Sequence, residues 1–389
     1  MLRELVNYLS NPVFFFTGAV VLWVLLMKYP HVWTRPKVIF GILIGSLVFL
    51  GWSFGDPNFY REATKPDNVP IWLMTYGVGF FFWLSMRRGI INDELMAKGE
   101  PSLEARESKK RVYTWPDLVY SELICMVAFT AFLLLWALTL KSPLEDPANT
   151  GITPPIAKAP WYFLGLQEIL VYFDPWIAGV VLPGLIVLGL VAMPYFDFNP
   201  KGNGYYTVKD RYFALWSWGF GFVVLWIALI FLGTFMRGPG WNFFGPFEMW
   251  DSHKVVAMNN INLSEIIWVK MFNMGLPKNI LIRESIGIFI VAFYLLALPY
   301  FFLQGSKPTE KCLKKIVGVL PMPSKWKTSF NQSFSLGFFT EVYEKVGFVR
   351  FHLFLQLFLI MFSVPIKMYL RWGFNLKYIV AIPEYMFNI

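Results

Sequence analysis

Apolar runs of membrane-spanning length alternate with short polar breaks along this chain. A helix needs about 20 predominantly apolar residues to cross the hydrocarbon core. Runs at residues 12–27, 38–55, 70–86, 117–140, 175–196, 213–236, 284–303 and 348–370 approach or exceed that length. The pattern predicts an all-α fold, a polytopic integral membrane protein with about eight transmembrane helices, since only structures that satisfy their own backbone hydrogen bonds span a bilayer.

The breaks between runs divide the chain into three blocks. Residues 1–112 hold three helices and a charged linker at 87–112, whose mixed charges suit a surface amphipathic helix or a flexible connector. Asp56-Pro57 and Lys65-Pro66-Asp67 stop helices within this block. Residues 113–240 open at Trp115-Pro116-Asp117, where proline in a first helical turn loses no hydrogen bond. This block carries a long loop at 141–175, a Gly-rich turn from Asn199 to Tyr206, and a close at Arg237-Gly238-Pro239-Gly240. Residues 241–389 begin with an aromatic loop (Trp241, Phe243, Phe244, Phe247, Trp250) suited to the headgroup level, and add two helices.

Composition agrees with the pattern: 389 residues are 56% hydrophobic and 15% charged, well below the roughly 25% charged of soluble domains. A net charge of +9 raises the question of nucleic acid, but the cations report orientation instead. Lys28, Arg35, Lys37, Arg87, Arg88, Lys98, Arg106, Lys109, Lys110, Arg111, Lys201, Lys209 and Arg211 fall in alternate loops, as do the lysines of the strongly basic stretch 304–347. Those loops are expected to face the cytoplasm, where the last suits anionic lipid, and both termini then lie on the outer side of a bacterial inner or other energy-transducing membrane. The run at Pro12 has no small-residue cleavage site before Lys28 and is expected to remain as the first helix. Cys125 and Cys312 have no spacing for a disulfide framework, a metal or haem attachment.

Candidate chemistry concentrates in the 141–175 loop, where Pro143, Pro147, Pro154, Pro155 and Pro160 precede Trp161-Tyr162-Phe163-Leu164-Gly165-Leu166-Gln167-Glu168. A quinol needs an apolar slot for its ring, a hydrogen-bonding group for one oxygen and a base for its proton. Trp161, Tyr162, Phe163 and Leu166 offer the slot, Tyr162 the hydrogen bond and Glu168 the carboxylate, with Pro160 fixing the turn. The same residues also read as an interfacial aromatic belt with Glu168 facing water.

The stretch from Tyr113-Thr114-Trp115-Pro116-Asp117 through this loop to Arg237 resembles subunit IV of cytochrome b6f complexes, the C-terminal half of cytochrome b in cytochrome bc complexes. The order of features matches, including Pro183 in the helix after the loop. In that family a Pro-Glu-Trp-Tyr or Pro-Asp-Trp-Tyr motif lines the quinol oxidation site; here Ala159, Pro160, Trp161 and Tyr162 occupy it, and the acid is missing. Glu168, about two helical turns on, is the expected substitute. Substituted acids also occur in bacterial menaquinol-type relatives.

The resemblance implies quinol (menaquinol) as substrate and a role in a quinol:cytochrome c oxidoreductase with outward proton release. The implied partners are a haem-carrying, b6-like cytochrome b, a Rieske-type iron-sulfur protein and a c-type cytochrome, with lipid around them and no nucleic acid. Haem is not expected on this chain. The family's b haems need paired histidines facing inward, whereas His31 and His253 fall in loops and only His352 lies in a span. No metal site is expected either. Glu122, an acid inside the fourth helix, is the candidate for proton delivery to an inner quinone site, against a bland reading as an acid paired to Lys109, Lys110 or Arg111. Glu248, Asp251, His253 and Lys254 read as a solvated loop. Two competing functions are a non-catalytic membrane anchor for a periplasmic redox enzyme, and a transporter, which lacks support because no inverted repeat is visible.

Overall fold

A computed structural model describes the chain except residues 109, 142–146, 148, 152–155, 198–203, 257–258, 304–310, 312–313, 316, 319–323, 325–326 and 328–336. Pro143, Pro154, Pro155, Lys109, Lys201, Cys312 and much of the basic 304–347 stretch thus lie outside the described residues, as does the start of the turn at Asn199.

The protein is an all-α, multi-pass membrane protein. Among the described residues seven helices are long and apolar enough to cross a bilayer: Pro36–Ser53, Val69–Ala97, Thr114–Thr139, Ile177–Tyr195, Tyr212–Phe235, Ser285–Leu303 and Phe348–Phe374. The eighth candidate is a broken pair, Leu2–Leu9 and Pro12–Lys28, bent by 80°. The bend has a local cause. Asn11 leaves helical geometry and its side chain accepts from the Val13 amide, while Pro12 fills the first turn of the next helix. Prolines open Pro36–Ser53 and the short helix Pro57–Ala63 in the same way, the latter capped by Asp56 at the Asn58 and Phe59 amides.

The third span extends to Ala97 instead of ending near residue 86. Arg87-Arg88 look like a membrane exit, and Gly89, Asn92 and Asp93 beyond them are poor helix formers, but long-range anchors carry the helix on. The buried Asn92 donates to the Tyr206 carbonyl (2.9 Å) and to Glu104 (2.7 Å). Asp93 accepts from Thr207 Oγ1 and from the Val208 and Lys209 amides. The first part of the 87–112 linker is therefore a docked helix end.

The chain divides into two compact units that cut across the sequence blocks: Met1–Glu168 with Lys201–Val256, and Ile169–Pro200 with Ala257–Ile389. In the first, Tyr212–Phe235 is the most buried span, at 39% of its apolar window. Ile71, Ile230, Leu232, Phe235 and Met236 form the core there, with Trp72, Trp161 and Trp226 packed against it. The outer edge of the Trp23 ring reaches Gly219, where an added Cβ would sit 2.1 Å from the indole, so only glycine admits this contact. Phe244 and Phe247 of the aromatic loop turn inward and are buried, and Asn7 receives the Phe247 amide at 2.9 Å. Thr114–Thr139 differs from the rest, for none of its residues is buried. Its first turn begins at Pro116, after an extended Trp115.

In the second unit Phe348–Phe374 packs on Leu182–Phe196, and Val342, Phe351, Leu355 and Leu359 build a core with Tyr294, Leu298 and Phe302. Tyr294 donates its hydroxyl to the Leu359 carbonyl at 2.7 Å, satisfying a polar tip within apolar surroundings. The C-terminal segment folds back as a two-residue antiparallel pair, Ala381 opposite Asn388. Arg283 clamps it through both oxygens of Glu384, at 3.0 and 3.1 Å, and Glu284 accepts from the Ala381 amide. Gly287 makes room for this return, since a Cβ there would meet the Ile379 carbonyl oxygen at 2.1 Å.

Candidate functional site

Pro160 ends a segment without regular structure, and Trp161–Phe163 form one tight helical turn that leads directly into the helix Leu164–Ile169. Proline fixes the entry φ, and the Phe163 amide closes the turn on the Pro160 carbonyl at 2.8 Å. Gln167 holds the approach from the other side. Its Oε1 accepts from the Ala159 amide and its Nε2 donates to the Ala157 carbonyl, both at 2.8 Å. The motif is thus pinned at both ends by short-range bonds that its own sequence supplies.

The three aromatic side chains divide their work. Trp161 packs against the core cluster, whereas Tyr162 and Phe163 are exposed, their rings 4.7 Å apart. Trp161 meets Tyr162 edge-on at 5.6 Å, so the three rings form one contiguous apolar surface. Leu166 is half-buried on the following helix turn.

Close approach of two backbones positions Glu168. A Cβ on Gly165 would lie 3.3 Å from the Trp226 carbonyl, and one on Gly233 would lie 3.2 Å from the Leu164 carbonyl. Small residues at both crossing points let the short helix sit directly on the long one. At the end of that long helix Arg237 reaches back to Glu168, with Nε to Oε2 at 2.9 Å and Nη2 to Oε1 at 2.6 Å. Glu168 is fully buried and Arg237 nearly so. This planar two-bond fork is the geometry that makes arginine the preferred cation for a buried carboxylate. Arg237 Nη1 also donates to the Trp241 carbonyl at 3.1 Å.

The turn after Arg237 is built for that reach. Gly240 has φ of 65°, and the Phe244 amide returns to the Met236 carbonyl at 2.9 Å. Gly238 sits where a side chain would collide with the Phe244 ring at 2.6 Å. Two buried polar atoms here lack a hydrogen-bond partner among the described residues: the Thr234 hydroxyl and the Trp241 indole nitrogen.

Lys158 completes the surroundings. Its Nζ donates to the Thr234 carbonyl at 2.7 Å and lies 4.7 Å from the Trp250 ring centre. Burial, reinforced by the neighbouring Lys65 charge, pushes its ammonium pKa down to about 7, with Glu62 and Asp67 opposing the shift and Arg237 adding to it. Sequence reading left Lys158 and Arg237 without a role. Their only signals were a lone cation two residues before the motif and another capping a long apolar run.

Other sequence candidates lie elsewhere. Glu122 is exposed in the first turn of its helix. His352 places Nδ1 2.8 Å from the Phe348 carbonyl, a local helix contact. Among the described residues no cluster of three His, Cys, Asp or Glu side chains has metal-binding geometry. Two apolar clefts of about 500 and 580 Å³ occur in the first unit, lined in part by Phe81, Phe82 and Trp218 and by Phe14, Trp23 and Phe231, and neither touches the aromatic turn.

Apolar helices of this number make a multi-pass membrane protein, with an ion pair buried behind an aromatic turn. Residues 147–248 match the family model described as cytochrome b (C-terminal)/b6/petD, and the match to it is confined to this segment. A curated relative, cytochrome b/c1 of Bradyrhizobium diazoefficiens, is 26% identical over 228 residues, 56% of this chain. The match covers only 30% of that relative's length. No solved structure matches the chain.

Proposed function

We propose that this chain is a membrane subunit of a cytochrome bc-type complex and forms the quinol oxidation site on the outer, positive side of a bacterial energy-transducing membrane. The observation that carries the reading is the buried Glu168–Arg237 pair lying two helical turns behind Trp161–Phe163, inside the segment that matches the cytochrome b C-terminal family.

The chain's own part is to bind, orient and deprotonate. Trp161, Tyr162, Phe163 and Leu166 wall the quinol ring, Pro160 holds the turn, and the Tyr162 hydroxyl bonds one quinol oxygen. Glu168 takes a proton as electrons leave. Menaquinol is the quinol that the substituted motif favours. One electron passes to a Rieske-type iron-sulfur protein and onward to a c-type cytochrome, the other to b haems in a b6-like partner. Glu122 serves a separate inner-side proton path.

The deciding experiment is Glu168→Gln in the purified complex with menadiol as electron donor. Loss of a positioned base typically costs 10²–10⁴-fold, so kcat is expected to fall by about 100-fold with the complex still assembled. Unchanged oxidation would show that Glu168 has no catalytic part and would favour the alternative, a membrane anchor for a redox enzyme.

A further inference from the structure

The short helix Leu2–Leu9 carries leucines at positions 2, 5 and 9, which at about 100° per residue share one side. Arg3 and Asn7 fall on another side, and Glu4 lies roughly opposite the leucines. A surface helix ordinarily turns its apolar stripe to the core and its polar face to water. Here the sides are exchanged. Arg3 donates to the Gly55 carbonyl at 3.3 Å, pairs with Asp56 at 3.1 Å and lies over the Trp52 ring. Asn7 accepts from the Phe247 amide at 2.9 Å, and Gly245 makes room for it, since a Cβ there would come within 2.5 Å of the Asn7 side chain. The polar side is thus docked on the protein, while Leu2, Leu5 and Leu9 are each more than half exposed.

The direction of this helix decides what the leucines meet. It turns by 80° from Pro12–Lys28, which packs along the membrane span Tyr212–Phe235. A helix set at that angle on one that runs with the span lies close to the membrane plane. Leu9 also lines the apolar cleft of about 580 Å³ between Pro12–Lys28 and the span, together with Phe14, Leu22 and Phe231. The leucine stripe is therefore continuous with a surface that faces acyl chains. Its charges are already matched: Arg3 is held by Asp56, and the Met1 amine by Glu4 at 3.0 Å. What the helix offers outward is apolar area without a free cation.

We infer that Leu2–Leu9 is an interfacial helix that lies on the bilayer at this end of the bundle, with Leu2, Leu5 and Leu9 inserted at the boundary of headgroups and acyl chains. Its partner is the lipid surface, recognised by apolar area rather than by headgroup charge. The polar side fastens the Gly55–Asp56 and Gly245–Phe247 turns to a helix whose depth the lipid fixes, so both turns are held at one level above the hydrocarbon. Nothing in this placement depends on quinol chemistry, and it stands or falls apart from the proposed function.

The full chain carrying Cys125→Ser and Cys312→Ser tests this, labelled with bimane at Leu2→Cys, Leu5→Cys, Leu9→Cys or Glu4→Cys. Each variant is reconstituted alone into phosphatidylcholine vesicles, with and without phosphatidylglycerol. Phospholipids brominated near the start of the acyl chain are expected to quench the three leucine positions several-fold more than Glu4→Cys, at a depth of about 5–10 Å into the interface. Phosphatidylglycerol is expected to leave the pattern unchanged. Equal access of aqueous iodide to all four positions overturns the inference, and so does quenching that appears only with phosphatidylglycerol. Shielding of the leucine positions only when further subunits are bound also overturns it, because the stripe then belongs to a protein partner. Where a labelled variant fails to reconstitute, hydroxyl-radical labelling of the unmodified chain in the same vesicles decides. Sparing of Leu2, Leu5 and Leu9 relative to the exposed loop residue Val255 supports the interfacial helix, and oxidation as fast as that of Val255 overturns it.

Discussion

Arg237 holds both carboxylate oxygens of Glu168, its Nε and Nη2 at 2.9 and 2.6 Å, across 69 residues of sequence. Neither charge has water to fall back on. Breaking such a pair from one side strands a buried charge, at a cost of about 3–5 kcal/mol, whereas replacing both partners with apolar groups is often neutral. Arg237→Met is therefore expected to destabilise the protein by about that amount, and Glu168→Leu combined with Arg237→Met to recover most of it. Unfolding in graded denaturant in detergent measures both; a single variant within about 0.5 kcal/mol of wild type contradicts the argument.

Trp161 and Tyr162 are neighbours with opposite surroundings, one packed on the core and one exposed. Trp161→Ala is expected to cost roughly 2–4 kcal/mol of stability, somewhat below a fully buried tryptophan. Tyr162→Phe removes only a hydroxyl at an exposed position, so stability changes by less than about 0.5 kcal/mol. Under the quinol reading the same variant raises KM for menadiol or lowers kcat several-fold. Paired melting curves and steady-state rates distinguish the two residues.

The crossing of Leu164–Ile169 over the long helix tolerates no branching at Gly233, where a Cβ already approaches the Leu164 carbonyl to 3.2 Å. Gly233→Val forces the helices apart, and overpacking of this kind costs about 1–3 kcal/mol. The expected outcome is a lowered Tm together with a larger loss of menadiol oxidation than the stability change explains, because the aromatic turn moves with the short helix. Wild-type activity in a stably folded Gly233→Val protein would separate the turn from the reaction.

The C-terminal clamp responds to acid. Hydrogen bonding from Arg283 holds the Glu384 carboxyl below its usual value of 4.5, and Glu384 in turn raises the guanidinium. A carboxylate depressed in the folded state contributes fully above pH 4.5 and loses that contribution as pH falls through the lowered folded value. Residues 381–388 should therefore stay protected from hydrogen exchange at pH 5 and loosen only as pH falls below 4.5. Glu384→Gln should loosen them at every pH, and equal protection in that variant would exclude the clamp.

Hydropathy made the spans legible, because a lipid-crossing helix must be apolar over a fixed length whatever surrounds it. It placed the third helix end too early at Arg87-Arg88, since the bonds that carry that helix on to Ala97 come from Asn92 and Asp93 to residues 206–209, more than a hundred positions away. The aromatic motif was readable for a similar reason: its turn is closed by Pro160 and Gln167, both local. The partner of Glu168 was not, because an arginine after an apolar run looks the same whether it faces headgroups or reaches back to a buried acid. Lys158 was hidden likewise, for its properties come from Thr234, Trp250 and Lys65 rather than from its sequence neighbours.

Thr114–Thr139 has no buried residue, yet it satisfies its backbone hydrogen bonds within its own turns. It can therefore enter the bilayer from the ribosome as a finished piece, before the rest of the chain has been made. Its side chains remain free to meet whatever arrives later, so the order of biogenesis is not constrained by this span.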